Sequence, residues 1–209
     1  MHNTLKTAAI VLALAAPASP AEELAPDALV KTISLEVIAA IRQDKDIQAG
    51  NPTKIAGLVE AKILPHFDFA HTTRIAMGPN WRRASPEQRE QLVREFRTLL
   101  VRTYSSALTA YRDQVIEFKP LRARPDDAQV TVRSEVRQSG AQAVSIDYEM
   151  EKTASGWKVY DVKISGASLA ATYRDVFAEE VRNHGIEGLL DSLSSKNHQN
   201  DARPAAVNT

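Results

Sequence analysis

The sequence predicts an α+β fold in which helices pack over one face of a curved antiparallel sheet of about four strands. Three observations predict it. Apolar residues from Pro26 to Tyr111 recur at helical spacing, those from Val115 to Ile164 alternate every second residue, and helical spacing returns after Ser168. Helices therefore come first, then a meander of strands, then helices.

The chain has 209 residues, enough for one domain with a sizeable core. Its 26 basic and 26 acidic side chains balance, so no global field draws it to nucleic acid. Cysteine is absent, which excludes disulfides, thiolate metal sites and a cysteine nucleophile. At the N-terminus Lys6 precedes the apolar run Ala8 to Ala16, followed by small residues around Pro17 and Pro20. That layout is a secretory signal peptide, residues 1–21, cleaved after Ala21 or after Ala18. Pro17 stops the run well short of the roughly 20 residues a membrane span needs. The mature domain is then residues 22–195, exported and soluble, with a polar, disordered tail over 196–209.

The first helix is expected from Pro26 to Gln48, with Leu29, Ile33, Val37, Ile38 and Ile41 on one face. Asn51-Pro52 opens a second carrying Ile55, Leu58, Val59 and Ile63, and Pro65 interrupts it. A short helix follows from Phe67 to Met77 and stops at Gly78-Pro79. Ser85-Pro86-Glu87-Gln88 provides a hydroxyl cap, a first-turn proline and a capping-box glutamine. The long helix beyond it places Leu92, Phe96, Leu99, Leu100, Tyr104, Leu108 and Tyr111 on one stripe.

The strands are Val115 to Lys119, then Val130, Val132, Ser134 and Val136 facing inward, then Val144, Ile146, Tyr148 and Met150. Gly156 to Tyr173 completes the sheet and leaves it. Tyr160, Val162 and Ile164 share one strand face, Gly166 breaks the alternation, and Ser168 caps a helix running to about Asn183. Gly185 ends that helix, and Ile186 to Leu193 form a last short one. A sheet face this apolar must be covered by helices or by a ligand.

The run Trp157, Tyr160, Asp161, Gly166, Ser168, Leu169 resembles the closing motif of the MlaC (toluene-tolerance) family of periplasmic phospholipid-binding carriers. The resemblance extends to Asn183-His184-Gly185-Ile186-Glu187-Gly188-Leu189, to Ile63 through Phe69, and to Trp81 followed by Ser85 through Arg89. It implies a sheet similar to that of nuclear-transport-factor-like folds, embedded in helices around an apolar lipid cavity. It also implies a periplasmic carrier that shuttles phospholipid between an outer-membrane lipoprotein–porin complex and an inner-membrane ABC transporter bearing an MCE-domain protein, maintaining outer-membrane asymmetry. The expected ligand is phospholipid, with no cofactor, no metal and no catalysis. Candidate lipid-binding residues are Val132, Val136, Val144, Ile146, Tyr148, Tyr160, Val162 and Ile164 from the sheet, with Phe67, Phe69, Leu100, Tyr104 and Leu169 from helices. The cavity is expected at or above the upper end of about 300–1,000 Å³.

Other readings of the residues stand beside this one. His66, Asp68 and His71 match a metal-ligand spacing but lack a fourth ligand; His66 reads better as a capping or surface residue and Asp68 as a first-turn carboxylate favoured by the helix dipole. Asp161 is a carboxylate in an apolar strand, the general base if the chain is a small exported isomerase. Strict alternation sets it with Trp157, Val159 and Lys163 on the outer face, paired to a cation. Ser168 lacks a nucleophile-elbow context and reads as a cap. Arg74, Arg82, Arg83, Arg97 and Arg102 form a solvated face, or meet a phosphate or an acidic partner if they ring a cavity mouth. A carrier for a polycyclic lipid such as a hopanoid is the further alternative.

Overall fold

The computed structural model describes residues 24–105, 107–108, 113–124 and 126–201. The expected signal peptide, Tyr111 and the last eight residues of the expected tail lie outside the described residues.

Helix α1 (Pro26–Gln43) starts on a first-turn proline and ends sooner than its apolar spacing suggests. Asp44 leaves the helical conformation, and its carboxylate accepts from the amides of Asp46 and Ile47 to cap a separate short helix, α2 (Lys45–Gln48). Asn51 caps α3 (Pro52–Lys62) in the same way. A 3-10 turn over Leu64–His66 contains Pro65, and Phe67 then lies extended. Asp68 Oδ1 accepts from His71 N at 2.8 Å and caps α4 (Phe69–Met77), so the helix starts two residues later than expected and Asp68 stands at its cap, not within its first turn. The capping box of α5 (Pro86–Ser105) forms on both sides: Gln88 N donates to Ser85 Oγ at 3.2 Å and Ser85 N to Gln88 Oε1 at 2.9 Å.

The sheet has five strands in sequence order, all antiparallel: β1 (Val115–Phe118), β2 (Gln129–Arg137), β3 (Val144–Thr153), β4 (Gly156–Ile164) and the two-residue β5 (Ala167–Ser168). Val130 faces Met150, Val132 faces Tyr148, and Val136 faces Val144, so the predicted inward set of β2 and β3 is one face. At the other edge, Glu117, Lys119, Glu135 and Arg137 interlock as ion pairs across β1 and β2, with Lys119 Nζ 3.0 Å from Glu135 and Arg137 Nε 3.2 Å from Glu117. Hydrogen bonds from Lys119 and then Arg137 hold the Glu135 carboxyl below its ordinary value.

Strand β4 departs from simple alternation. Val159 pairs with Met150 and Asp161 with Glu149, leaving Tyr160 as the extra residue of a β-bulge. Val159 and Val162 therefore join one core cluster, although alternation assigns them opposite faces.

Ser168 Oγ accepts from Ala171 N at 2.9 Å and caps α6 (Leu169–Thr172). Helix α7 (Arg174–Asp201) kinks at Gly185, whose φ of 72° is the left-handed conformation expected of a helix-ending glycine. The chain does not turn to tail at Lys196. Helix α7 continues to Asp201, and Asn197 is buried, donating to the Glu95 carbonyl and carboxylate while its own carbonyl accepts from Arg102. A polar run was expected to lack anything to bury; here the Asn197 side-chain amide nitrogen and backbone carbonyl find partners on α5, while its side-chain oxygen is buried without one.

Among the described residues three apolar clusters make the core. Met77, Leu92, Phe96, Leu99, Phe177, Val181, Leu189 and Leu193 join α4, α5 and α7. Val30 of α1 closes over Val130, Val132, Met150 and Val159 of the sheet. Val37, Ile41, Ile47, Ile55 and Val59 join α1, α2 and α3.

Candidate functional site

Where these three clusters meet, the packing leaves an apolar cavity of about 170 Å³. Val59 and Ile63 of α3, Leu64 and Phe67 of the turn beyond it, and Phe69 and Thr72 of α4 form one side. Leu100, Val101, Tyr104, Ser105 and Leu108 form the second, and Asp161, Val162 and Leu169 the floor. Phe67 and Phe69 stack with ring centroids 5.6 Å apart.

Strand β4 reaches the cavity because its outer edge is open there. Phe67 bridges Val159, and β5 pairs with Lys163 and Ile164, so residues 160–162 between them have no strand neighbour on that side. Side chains satisfy the exposed backbone instead. Thr72 Oγ1 donates to the Tyr160 carbonyl at 2.8 Å, and Asp161 Oδ1 accepts from Val162 N at 2.9 Å and Ala170 N at 3.2 Å.

These bonds make the cavity more apolar than its residue types suggest. Ser105 donates to the Val101 carbonyl, Thr72 also to that of Asp68, and Tyr104 shares a hydrogen bond with Tyr173. Each polar wall group is turned to a protein partner, leaving hydrocarbon to face the interior. A second hollow of about 340 Å³ lies behind Tyr104 among α5, α6 and α7, with Glu180 and Lys196 among its walls.

Of the candidate lining residues, the structure brings together Phe67, Phe69, Leu100, Tyr104, Val162 and Leu169. It does not bring Val132, Val136, Val144, Ile146, Tyr148, Tyr160 or Ile164 to this cavity. The main reason is α1, whose Leu29 and Val30 occupy the sheet face on which Val132 and Tyr148 lie. Burial pushes the Tyr148 hydroxyl up, and hydrogen bonds with Ser134 and with Ser34 of α1 oppose that shift. Val144 and Ile164 stand exposed at the far end of the same face. Tyr160 is turned away by the bulge and stacks on His71 at 4.1 Å, where His71 also meets Glu151 at 2.6 Å.

Asp161 is corrected in the opposite sense. It is 6% exposed, not on an outer face, and two backbone amides rather than a cation hold it. Residues missed by the sequence reading are Val59, Ile63, Leu64, Thr72, Val101, Ser105, Leu108 and Asp161. Ile63-Leu64-Pro65 held the available signal: proline ends the helix directly after two apolar residues, leaving them at a loop where a cavity can open. The volume also falls below the expected range, because Val101 and Leu108 close onto the α3 side and gain contact by doing so. Among the described residues no helix is long and apolar enough to cross a membrane, and no group of three metal-ligating side chains converges.

Comparison with known proteins places this architecture. Residues 31–195 match the family model described as MlaC protein. The toluene tolerance protein ttg2D of Pseudomonas putida is 24% identical over 186 residues, spanning 88% of this chain and 86% of that protein. The intermembrane phospholipid transport system binding protein MlaC of Haemophilus influenzae is 24% identical over 189 residues, spanning 89% and 86%. A solved phospholipid-binding protein from Ralstonia solanacearum, in complex with a phospholipid, superposes with a TM-score of 0.78 at 44% identity, covering 84% of this chain and 98% of that one. The cavity at the open edge of β4 thus sits in a chain that belongs to the MlaC family.

Proposed function

We propose that the protein is a phospholipid-binding carrier that holds acyl chains in the cavity beside β4. The observation that carries this reading is a hydrocarbon-faced cavity, its polar wall groups bonded elsewhere, in a chain 44% identical to a protein solved with phospholipid. Burying each methylene is worth about 0.8 kcal/mol, so lipid crosses water slowly unless a protein shields its tails. Apolar walls discriminate weakly, and selectivity for chain length should be low. At about 170 Å³ the cavity must widen to admit two chains, by parting the α3 and α5 sides.

The names of the relatives and the sequence pattern at residues 8–21 support a periplasmic carrier with a cleaved leader, working between the membranes. The outer-membrane lipoprotein–porin complex and the inner-membrane MCE-domain transporter are its proposed partners, and carriage without chemistry is its proposed role. Asp161 has a structural part in that role, since its Oδ1 holds the amides of Val162 and Ala170.

Protein purified without detergent and weighed by native mass spectrometry should carry diacyl phospholipid. Val162→Arg or Leu100→Arg, each placing a charge in the cavity wall, should reduce that adduct at least tenfold. A bare protein that takes no lipid from phospholipid vesicles would end the reading, and a polycyclic adduct would replace it with the hopanoid-type alternative.

A further inference from the structure

One cation touches the cavity wall from outside. Arg97, on α5 one turn before Leu100 and Val101, places its guanidinium carbon 5.8 Å from the Phe69 ring centroid. Phe69 stacks in turn on Phe67, so the cation tops a column of two rings that both line the cavity. Its ion-pair partner is Glu60 of α3, one residue after the wall residue Val59, and the closest approach is a loose 4.0 Å. Among the described residues the Arg97 guanidinium makes no hydrogen bond, and its side chain is 45% exposed. A guanidinium offers five donors in a planar fork that matches an anionic phosphate, and these donors are largely unspent here.

The ion pair also spans the two sides that must separate for the cavity to grow. Glu60 rides with α3 and Arg97 with α5, so parting them lengthens an already long pair and releases the guanidinium beside the Phe69 wall.

Resting on the carrier reading above, we propose that Arg97 binds the phosphate of the amphiphile whose chains fill the cavity, and that Glu60 occupies Arg97 while the cavity is narrow. Arg97 is then the contact that favours a phosphate-bearing lipid over a neutral one with the same chains. The carboxylate of Glu60 makes the narrow state slightly harder to open.

The test uses the full mature chain, stripped of lipid and incubated with phosphatidylcholine vesicles containing diacylglycerol of distinguishable chain mass. Both lipids share one uncharged surface, so surface attraction does not separate them. Native mass spectrometry then counts each adduct. The expected result is a preference for phosphatidylcholine that falls about tenfold in Arg97→Gln and is partly kept in Arg97→Lys, the scale of one lost charge-assisted contact. Glu60→Gln should raise phosphatidylcholine occupancy; a fall would overturn the restraining role. Wild-type protein that takes neither lipid would sink the carrier reading itself. Uptake of both lipids with the ratio unchanged in Arg97→Gln would sink only the assignment of Arg97. Inorganic phosphate, titrated alone, separates the sources: a binding signal lost in Arg97→Gln would mark a free-phosphate site and overturn the lipid assignment.

Discussion

Asp161 shows how one side chain can decide a wall. Its Oδ1 joins the amide of Ala170 in α6 to that of Val162 in β4, so the helix carrying Leu169 is tied to the strand carrying Val162. Asp161→Ala leaves both amides without that partner, and we expect a loss of about 2 kcal/mol, read as an earlier denaturant midpoint. Asp161→Asn keeps an acceptor and should lose less than half as much. His66 offers a separate check through acid. Partial burial, and then the nearby charge of Lys158, lowers its pKa below the ordinary value of 6.5. The unfolded chain therefore takes up that proton first, so stability is full above about pH 6.5 and declines as pH falls toward the folded-state pKa. Thermal melts of His66→Gln should show a flatter pH dependence than wild type between pH 7 and 6; equal slopes would contradict the shift.

At the scale of elements, the capped starts were legible, and the ends and the faces were less so. Ser85-Pro86-Glu87-Gln88 marked its helix because a hydroxyl and a glutamine three residues apart satisfy each other's amides wherever they occur. Removing the cap with Ser85→Ala should cost about 1 kcal/mol, measurable by urea titration. The faces of β4 were misread because a bulge leaves no mark in an alternating pattern. Tyr160 looks like any aromatic strand residue, and its extra position shows only where Asp161 pairs with Glu149 and Val159 with Met150. The end of α7 was misread for a related reason, since polarity signals exposure only when no partner such as Glu95 or Arg102 waits. Beyond the Gly185 kink the helix is tight. A Cβ on Gly188 would stand 2.2 Å from the His184 Cβ, so Gly188→Ala should lower the melting temperature although alanine favours helices.

For the whole molecule, order of elements and α+β class followed from periodicity, but the position of the cavity did not. A sheet face and a helix stripe that line a void use the same residues as those that pack solid. Choosing between Val132 and Val59 as lining required knowing where α1 lies, and that is set by contacts some 100 residues apart in sequence, between Val30 and Val130. The resemblance carried the existence of a cavity; of the other walls, Val59, Ile63 and Leu108 came from helix faces read only as packing, and Thr72, Val101 and Ser105 were not singled out. If lipid binds there, the folded state alone gains its binding energy, and melting temperature should climb with phospholipid concentration in wild type but stay level in Leu100→Arg.

The charged lattice of Glu117, Lys119, Glu135 and Arg137 has a consequence for life among many copies. Strand β1 is the terminal strand of the sheet, with main-chain groups open to any passing β segment, and Val115 beside them is exposed. Fixed charges of both signs along that border penalise an incoming strand that would strip their water. A charged rim of this kind opposes edge-to-edge pairing between copies, and neutralising Lys119 and Glu117 together should raise light scattering at high protein concentration relative to wild type.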